Sequence, residues 1–161
     1  MKEIETNAKD AVLLLAHGTP DVLGDVEEYL KLVTGGRGVL PHVVHELQER
    51  YAAIGLCDTP SAEGPHLTRW TMRQAARLRE RLDCTVYVGM RNWKPFIHDV
   101  VDDMRLAGIE RVRTICLAPQ NSRTSVGLFK RAVEDAVAGS LRSSTTSISR
   151  SRGRRESWDW S

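Results

Sequence analysis

The chain has 161 residues, 41% of them hydrophobic, and a net charge of +2. That suits one domain with a buried core, and no stretch approaches the roughly 20 apolar residues of a membrane span. The charge is split: residues 139–161 hold five arginines against Glu156 and Asp159, a balance of +3, so residues 1–138 carry −1 and the body has no basic footprint for nucleic acid.

Cys57, Cys84 and Cys116 are odd in number and lack CxxC spacing, and the polar amino terminus carries no signal-peptide pattern. Reduced thiols in a cytoplasm are the expectation.

"AVLLLA" (11–16) is apolar throughout, the pattern of a central parallel strand buried on both faces. It delivers His17 directly onto Gly18-Thr19-Pro20, although Gly-Thr-Pro alone would end a strand. From Asp21 to Val33, apolar residues at Val22, Val26, Tyr29, Leu30 and Val33 have helical spacing. Gly35, Gly36 and Gly38 then enforce a loop around Arg37. Pro41 suits the first position of a second helix with Val43, Val44, Leu47 and Tyr51 on its face. "GLCDTPSAEGP" (55–65) is a long loop, and Leu67, Trp70, Ala75, Leu78 and Leu82 mark a third helix with Trp70 in the core.

"CTVYVGM" (84–90) is a second strand, and Pro95 opens a fourth helix whose buried stripe is Ile97, Val100, Val101 and Met104. After Gly108, "RVRTICLA" (111–118) is a third strand, and a last helix runs from near Thr124 to Ala138 through Phe129, Val133 and Val137. This order predicts an α/β fold, a doubly wound parallel sheet flanked by helices, over residues 1–138. Residues 139–161, with eight serines and little that is apolar before Trp158, have too little surface to bury to offset their ordering entropy and are expected to form a disordered tail.

Ligands of doubly wound sheets gather at the carboxyl ends of the strands. Three such ends, "AHGTPD", "GMRNWKPF" and "LAPQNSRTSVG", would bring His17, Thr19, Arg91, Asn92, Trp93, Lys94, Gln120, Asn121, Ser122 and Arg123 to one rim. A basic and amide rim with one aromatic suits a flat anionic ligand, with carboxylates on Arg91 and Lys94 and a ring face on Trp93. His42 and His45 lie three apart on a helix without a third ligand and read as a solvated face. His66 reads as a loop residue, His98 as a surface residue and Cys116 as strand packing.

Five segments in order carry a resemblance: "LLLAHGTPD", "VTGGRGV" followed by "ERYAAIG", "LTRWTMRQA", "YVGMRNWKPFI" and "GIERVRTICLAPQNSRTSVG". Over about residues 11–138 the chain resembles the amino-terminal half of ferrochelatases, particularly the bacterial coproporphyrin-dependent branch. The resemblance implies a chelatase-like half-fold and a lyase that inserts ferrous iron, as substrate, into coproporphyrin III or protoporphyrin IX in haem biosynthesis. It implies porphyrin as the partner and no organic cofactor. His17 falls where many bacterial members carry a tyrosine facing the porphyrin centre, and a neutral imidazole nitrogen there can ligate iron. Porphyrin contact is carried over to Thr19, Arg37, Arg50, Tyr51, Arg91, Asn92, Trp93, Gln120, Ser122 and Phe129.

The departures are specific. Thr34 and Gly35 stand where some members have basic residues. Leu56 and an insertion through Pro65 interrupt the Gly-Gly-x-Ser-Pro turn, leaving Asp58 and Ser61 as alternatives for its serine. Arg91-Asn92 replaces a Lys-His pair of some relatives, and Phe129 replaces a tyrosine. The metalating histidine and carboxylate of the family belong to a second half of comparable size that this sequence lacks, so no catalytic residue is assigned. "ESWDWS" resembles the Glu-Ser-Trp that begins the crossing into that half. The expectation is a truncated or frameshifted ferrochelatase, or a fragment of one, whose exposed inter-lobe face invites self-association. Two alternatives stand beside it. One is a single-domain homodimeric cobalt or sirohydrochlorin chelatase, which "LLLAHGTP" also resembles but which needs a histidine where Gln120 and Asn121 lie. The other is a non-catalytic porphyrin-binding module.

Overall fold

The structure is a computed structural model that describes residues 9–62, 64–118, 122–145 and 157–160, with the backbone alone for 141–145 and 157–160. Strand β1 (Asp10–Ala16) is followed by a short 3-10 turn at Leu23–Asp25, then α1 (Val26–Val33), α2 (Pro41–Ala53) and α3 (His66–Arg79). Strand β2 (Thr85–Met90), α4 (Ile97–Leu106), β3 (Arg111–Cys116), α5 (Val126–Thr145) and β4 (Ser157–Trp160) complete the order. The sheet is parallel with strand order β2-β1-β3-β4. The unbroken apolar run of β1 therefore lies between two neighbours, with Ala11 against Thr85 and Ala16 against Met90 on one side and Leu15 against Cys116 on the other.

Strand alternation divides the core in two. Leu13 and Leu15 face α4 and α5, where Val101, Met104, Phe129 and Val133 close over them. Val12, Leu14 and Ala16 face the other way and share a cluster with Val86, Val88, Met90 and Ala75 of α3. Leu13 and Leu15 are wholly buried, each contributing about 2 kcal/mol of hydrophobic stabilisation. The doubly wound α/β architecture is as expected: α3 covers one face, and α4 and α5 the other. Among the described residues, no helix is long and apolar enough to cross a membrane.

Several boundaries and two placements differ from the sequence reading, α3 for one ending at Arg79 before Leu82. The helix expected from Asp21 begins at Val26, because the Asp25 carboxylate caps the 3-10 turn by accepting from Val22 N at 3.3 Å and Asp21 serves the rim described below. Helix α5 continues seven residues past Ala138, to Thr145, through residues such as Leu141 and Arg142 that favour helix. Residues 157–160, inside the segment expected to be disordered, pair with β3 from Arg111 to Thr114, aromatic residues being favoured in strands. The remainder of that segment, 146–156 and Ser161, lies outside the described residues.

His66 opens α3 instead of lying in a loop. Trp70, expected in the core, is 56% exposed, whereas Thr71 and Ala75 are buried. One helical residue is about 100° of rotation, so the step from Thr71 to Trp70 carries the indole off the packed stripe. Cys116 packs against the core as expected.

Candidate functional site

The carboxyl ends of β1 and β2 are tied by backbone bonds that extend their pairing. Arg91 N donates to Ala16 O, and Asn92 N donates to His17 O, both at 3.0 Å. His17 and Arg91 thus leave adjacent strands at one edge of the sheet. Strand β3 ends beside them, with Leu117 N donating to Leu15 O at 2.9 Å. The convergence of these three strand ends is the placement expected of a ligand rim.

Gly18 makes the first turn. Its φ is +86°, and a Cβ there would lie 2.9 Å from both Cβ and N of Trp93. Only a residue without a side chain fits that approach at that backbone angle. The loop after β1 is therefore pressed onto the loop after β2.

His17 is exposed at this rim. The side-chain amide Nδ2 of the buried Asn92 stands 3.0 Å from its Nδ1 and 3.1 Å from its Nε2. An amide N–H donates to a ring nitrogen that carries a lone pair, so this contact suits neutral imidazole and not imidazolium. The water displaced by this neighbourhood, and secondly the positive charge of Arg91, hold His17 below its usual pKa.

Below His17, aromatic rings meet around Tyr29 of α1. Its centroid is 6.2 Å from that of His17, 6.3 Å from Tyr51 of α2 and 6.2 Å from Trp93, each pair edge to face. Burial pushes the Tyr29 phenol up, and so does the neighbouring Tyr51 side chain. Trp93 Nε1 donates to Asp21 Oδ2 at 3.0 Å, and Lys94 Nζ lies 5.7 Å from the Trp93 centroid. Thr19 Oγ1 is buried and meets no hydrogen-bond partner among the described residues.

The structure thus brings together His17, Thr19, Tyr51, Arg91, Asn92 and Trp93 of the expected residues. Two take different roles from those expected. Trp93 is 2% exposed, so its faces are occupied by packing and its ring supports the rim from beneath. Phe129 is 5% exposed in the cluster with Leu13 and Leu15, and its ring is core.

Arg37 and Arg50 are exposed and locally held: Arg37 Nε donates to Thr34 O at 2.9 Å, and Arg50 pairs with Glu46 on α2. Ser122 is exposed before α5, its hydroxyl 3.2 Å from that of Thr124. Gln120 and Asn121 lie outside the described residues.

Asp21 and Tyr29 belong to the site and were not singled out by the sequence. Asp21 follows the rim loop directly, a signal that proximity offered. Tyr29 looks like any other residue of a buried helical stripe. Among the described residues, no group of three or more histidine, cysteine, aspartate or glutamate side chains could hold a metal ion. His17 contributes a single nitrogen donor.

Comparison with known proteins places this geometry. The family model for ferrochelatase matches residues 9–151. The chain is 52% identical over 123 residues to a ferrochelatase of Acidobacterium capsulatum, covering 76% of this chain and 35% of the relative. It is 39% identical over 136 residues to a ferrochelatase of Herpetosiphon aurantiacus, covering 81% and 42% respectively. A coproporphyrin III ferrochelatase of Bacillus pumilus is 31% identical over 127 residues, 79% of this chain and 41% of the relative. The matched region thus spans between about a third and two fifths of the length of these relatives. The sheet, the rim at its carboxyl edge and the match over most of its length together assign the chain to the ferrochelatase family.

Proposed function

We propose that this chain forms the porphyrin-facing wall of a ferrochelatase, which inserts ferrous iron into a tetrapyrrole, with His17 as a nitrogen donor to the metal. The observation that carries the reading is the juxtaposition of an exposed, neutral-favouring His17 with Asn92 and Arg91 at one sheet edge. Metalation replaces the two pyrrole protons of the macrocycle by one ferrous ion. It requires a lone pair that holds the ion and cationic groups that hold the ring's carboxylates.

In this reading the Asn92 amide holds the lone pair of neutral His17 in the free chain and gives it up to iron, while the Arg91 guanidinium takes a propionate carboxylate. The packed rings of Tyr29, Tyr51 and Trp93 keep the wall from yielding under a planar ligand. Ferrous iron as substrate and a cytoplasmic setting belong to the same reading.

The test is a titration of the purified chain with coproporphyrin III and protoporphyrin IX under anaerobic conditions. The chain is used alone and with the separately expressed carboxyl-terminal part of the Acidobacterium capsulatum relative. The expected result is a saturable shift of the porphyrin Soret band with the chain alone, and ferrous incorporation in the supplemented mixture. Absence of a Soret shift with both porphyrins overturns the reading.

A further inference from the structure

The two faces of the sheet are covered unequally. A helix with side chains is about 10 Å across, and strands lie about 4.8 Å apart, so one helix covers about two strands. Helices α4 and α5 pack together across one face. On the other face α3 meets β2 and β1, which among the described residues leaves that side of β3 beside an open groove of about 720 Å³.

The floor of the groove is Leu14, Ile115 and Leu117, and one wall is α3 with Trp70, Arg73 and Arg77. Leu117 is 37% exposed and Trp70 56% exposed. Arg73 lies 5.2 Å over the Trp70 ring. Arg73 and Arg77 of α3 and Arg81 just beyond its end recur every fourth residue, while Glu80 is the single acid among the described lining residues. The groove therefore pairs an apolar floor with a cationic edge.

We propose that this groove seats an amphipathic α-helix, its apolar stripe on Leu14, Ile115 and Leu117 and its acidic flank along the arginines of α3. A helix is about as wide as two strands, which suits an apolar floor beside α3, and the charge of the wall selects the flank. A second copy docked by two-fold symmetry would bring the same arginine-edged patch to the interface, and two cationic patches repel. A bilayer surface is flat, whereas this floor is recessed beside α3. The inference stands apart from the tetrapyrrole reading, because the groove reaches the end of β3 only at Leu117 and its lining includes none of His17, Arg91 and Asn92.

The test uses the full 161-residue chain and two labelled synthetic helices with the same leucine stripe, one flanked by glutamates and one by lysines, read by fluorescence anisotropy. The glutamate peptide is expected to bind saturably and the lysine peptide about tenfold or more weaker. The double variant Arg73→Glu/Arg77→Glu, altered only at exposed positions, reverses that preference. Leu117→Asp abolishes binding of both peptides while circular dichroism confirms the fold. Equal binding of the two peptides, absence of saturable binding, or an unchanged preference in the double variant overturns the proposal. A concentration-dependent dimer that Leu117→Asp abolishes would assign the groove to a second copy and overturn it too. So would sedimentation with phosphatidylglycerol vesicles in the absence of peptide binding.

Discussion

The indole N–H of Trp93 donates to the carboxylate of Asp21 across 3.0 Å, joining the loop after β2 to the loop after β1. This bond, the Gly18 turn and the Asn92 amide lock two strand ends into one rim. Removing the acceptor leaves a buried indole N–H unpaired, which costs about 1–3 kcal/mol. Asp21→Ala is therefore expected to lose that much in urea denaturation, and Asp21→Asn, which keeps an acceptor oxygen, to recover most of it. Equal losses for the two variants would remove the bond from the account.

Gly18→Ala should be among the most damaging small substitutions. The φ of +86° disfavours any L side chain, and the new methyl would sit 2.9 Å from Trp93 backbone and Cβ atoms. Strain and overpacking together predict a loss of about 2–5 kcal/mol. A thermal melt within a degree of the parent would contradict this packing.

His17 gives a pH dependence of definite sign. Its folded pKa lies below the unfolded value of 6.5, so the unfolded chain takes up the proton first as pH falls. The stability of the neutral form is complete above pH 6.5 and is lost as pH falls through that value towards the folded pKa. A ring titration by NMR should place the midpoint below 6.5, and Arg91→Ala should move it upward by removing a nearby positive charge. A midpoint at or above 6.5 would contradict an imidazole held neutral.

The metal and porphyrin roles separate by substitution. His17→Ala is expected to keep the Soret shift and to lower ferrous incorporation in the supplemented assay by about tenfold or more, equivalent to about 1.4 kcal/mol of barrier. Arg91→Ala is expected to weaken porphyrin binding itself. Unchanged incorporation by His17→Ala would remove His17 from the metal path.

Burial predicts a contrast between two large apolar residues. Leu13, wholly buried between β1's neighbours and α4, should cost about 2–5 kcal/mol on change to alanine. Trp70, more than half exposed, should cost within about 0.5 kcal/mol. Comparable losses in a denaturant series would contradict the assignment of faces.

The fold was legible because its signals are local. A run such as Val12 to Leu15 without a polar residue can only be buried on both sides, and the stripe Ile97, Val100, Val101 and Met104 can only be one face of a helix. Capping bonds and tertiary commitments displaced the ends of elements, as Asp25 does at the start of α1 and as α5 does beyond Ala138. For the segment from Gly139, composition argued against order and gave no hint that residues 157–160 would pair with β3. That pairing depends on an edge made 46 residues earlier.

The site was legible in part. By itself the sequence determined that His17, Arg91 and Asn92 end parallel strands, because strand direction and the crossover rule put such ends on one edge. Only the tertiary structure decided that Trp93 and Phe129 are buried, that Trp70 is exposed, and that Tyr29 and Asp21 complete the rim. Periodicity records how often a position faces inward, but which side chain it meets there is set by elements distant in sequence. The steric fit of Gly18 against Trp93 is such a meeting, and it exists only once both loops are in place.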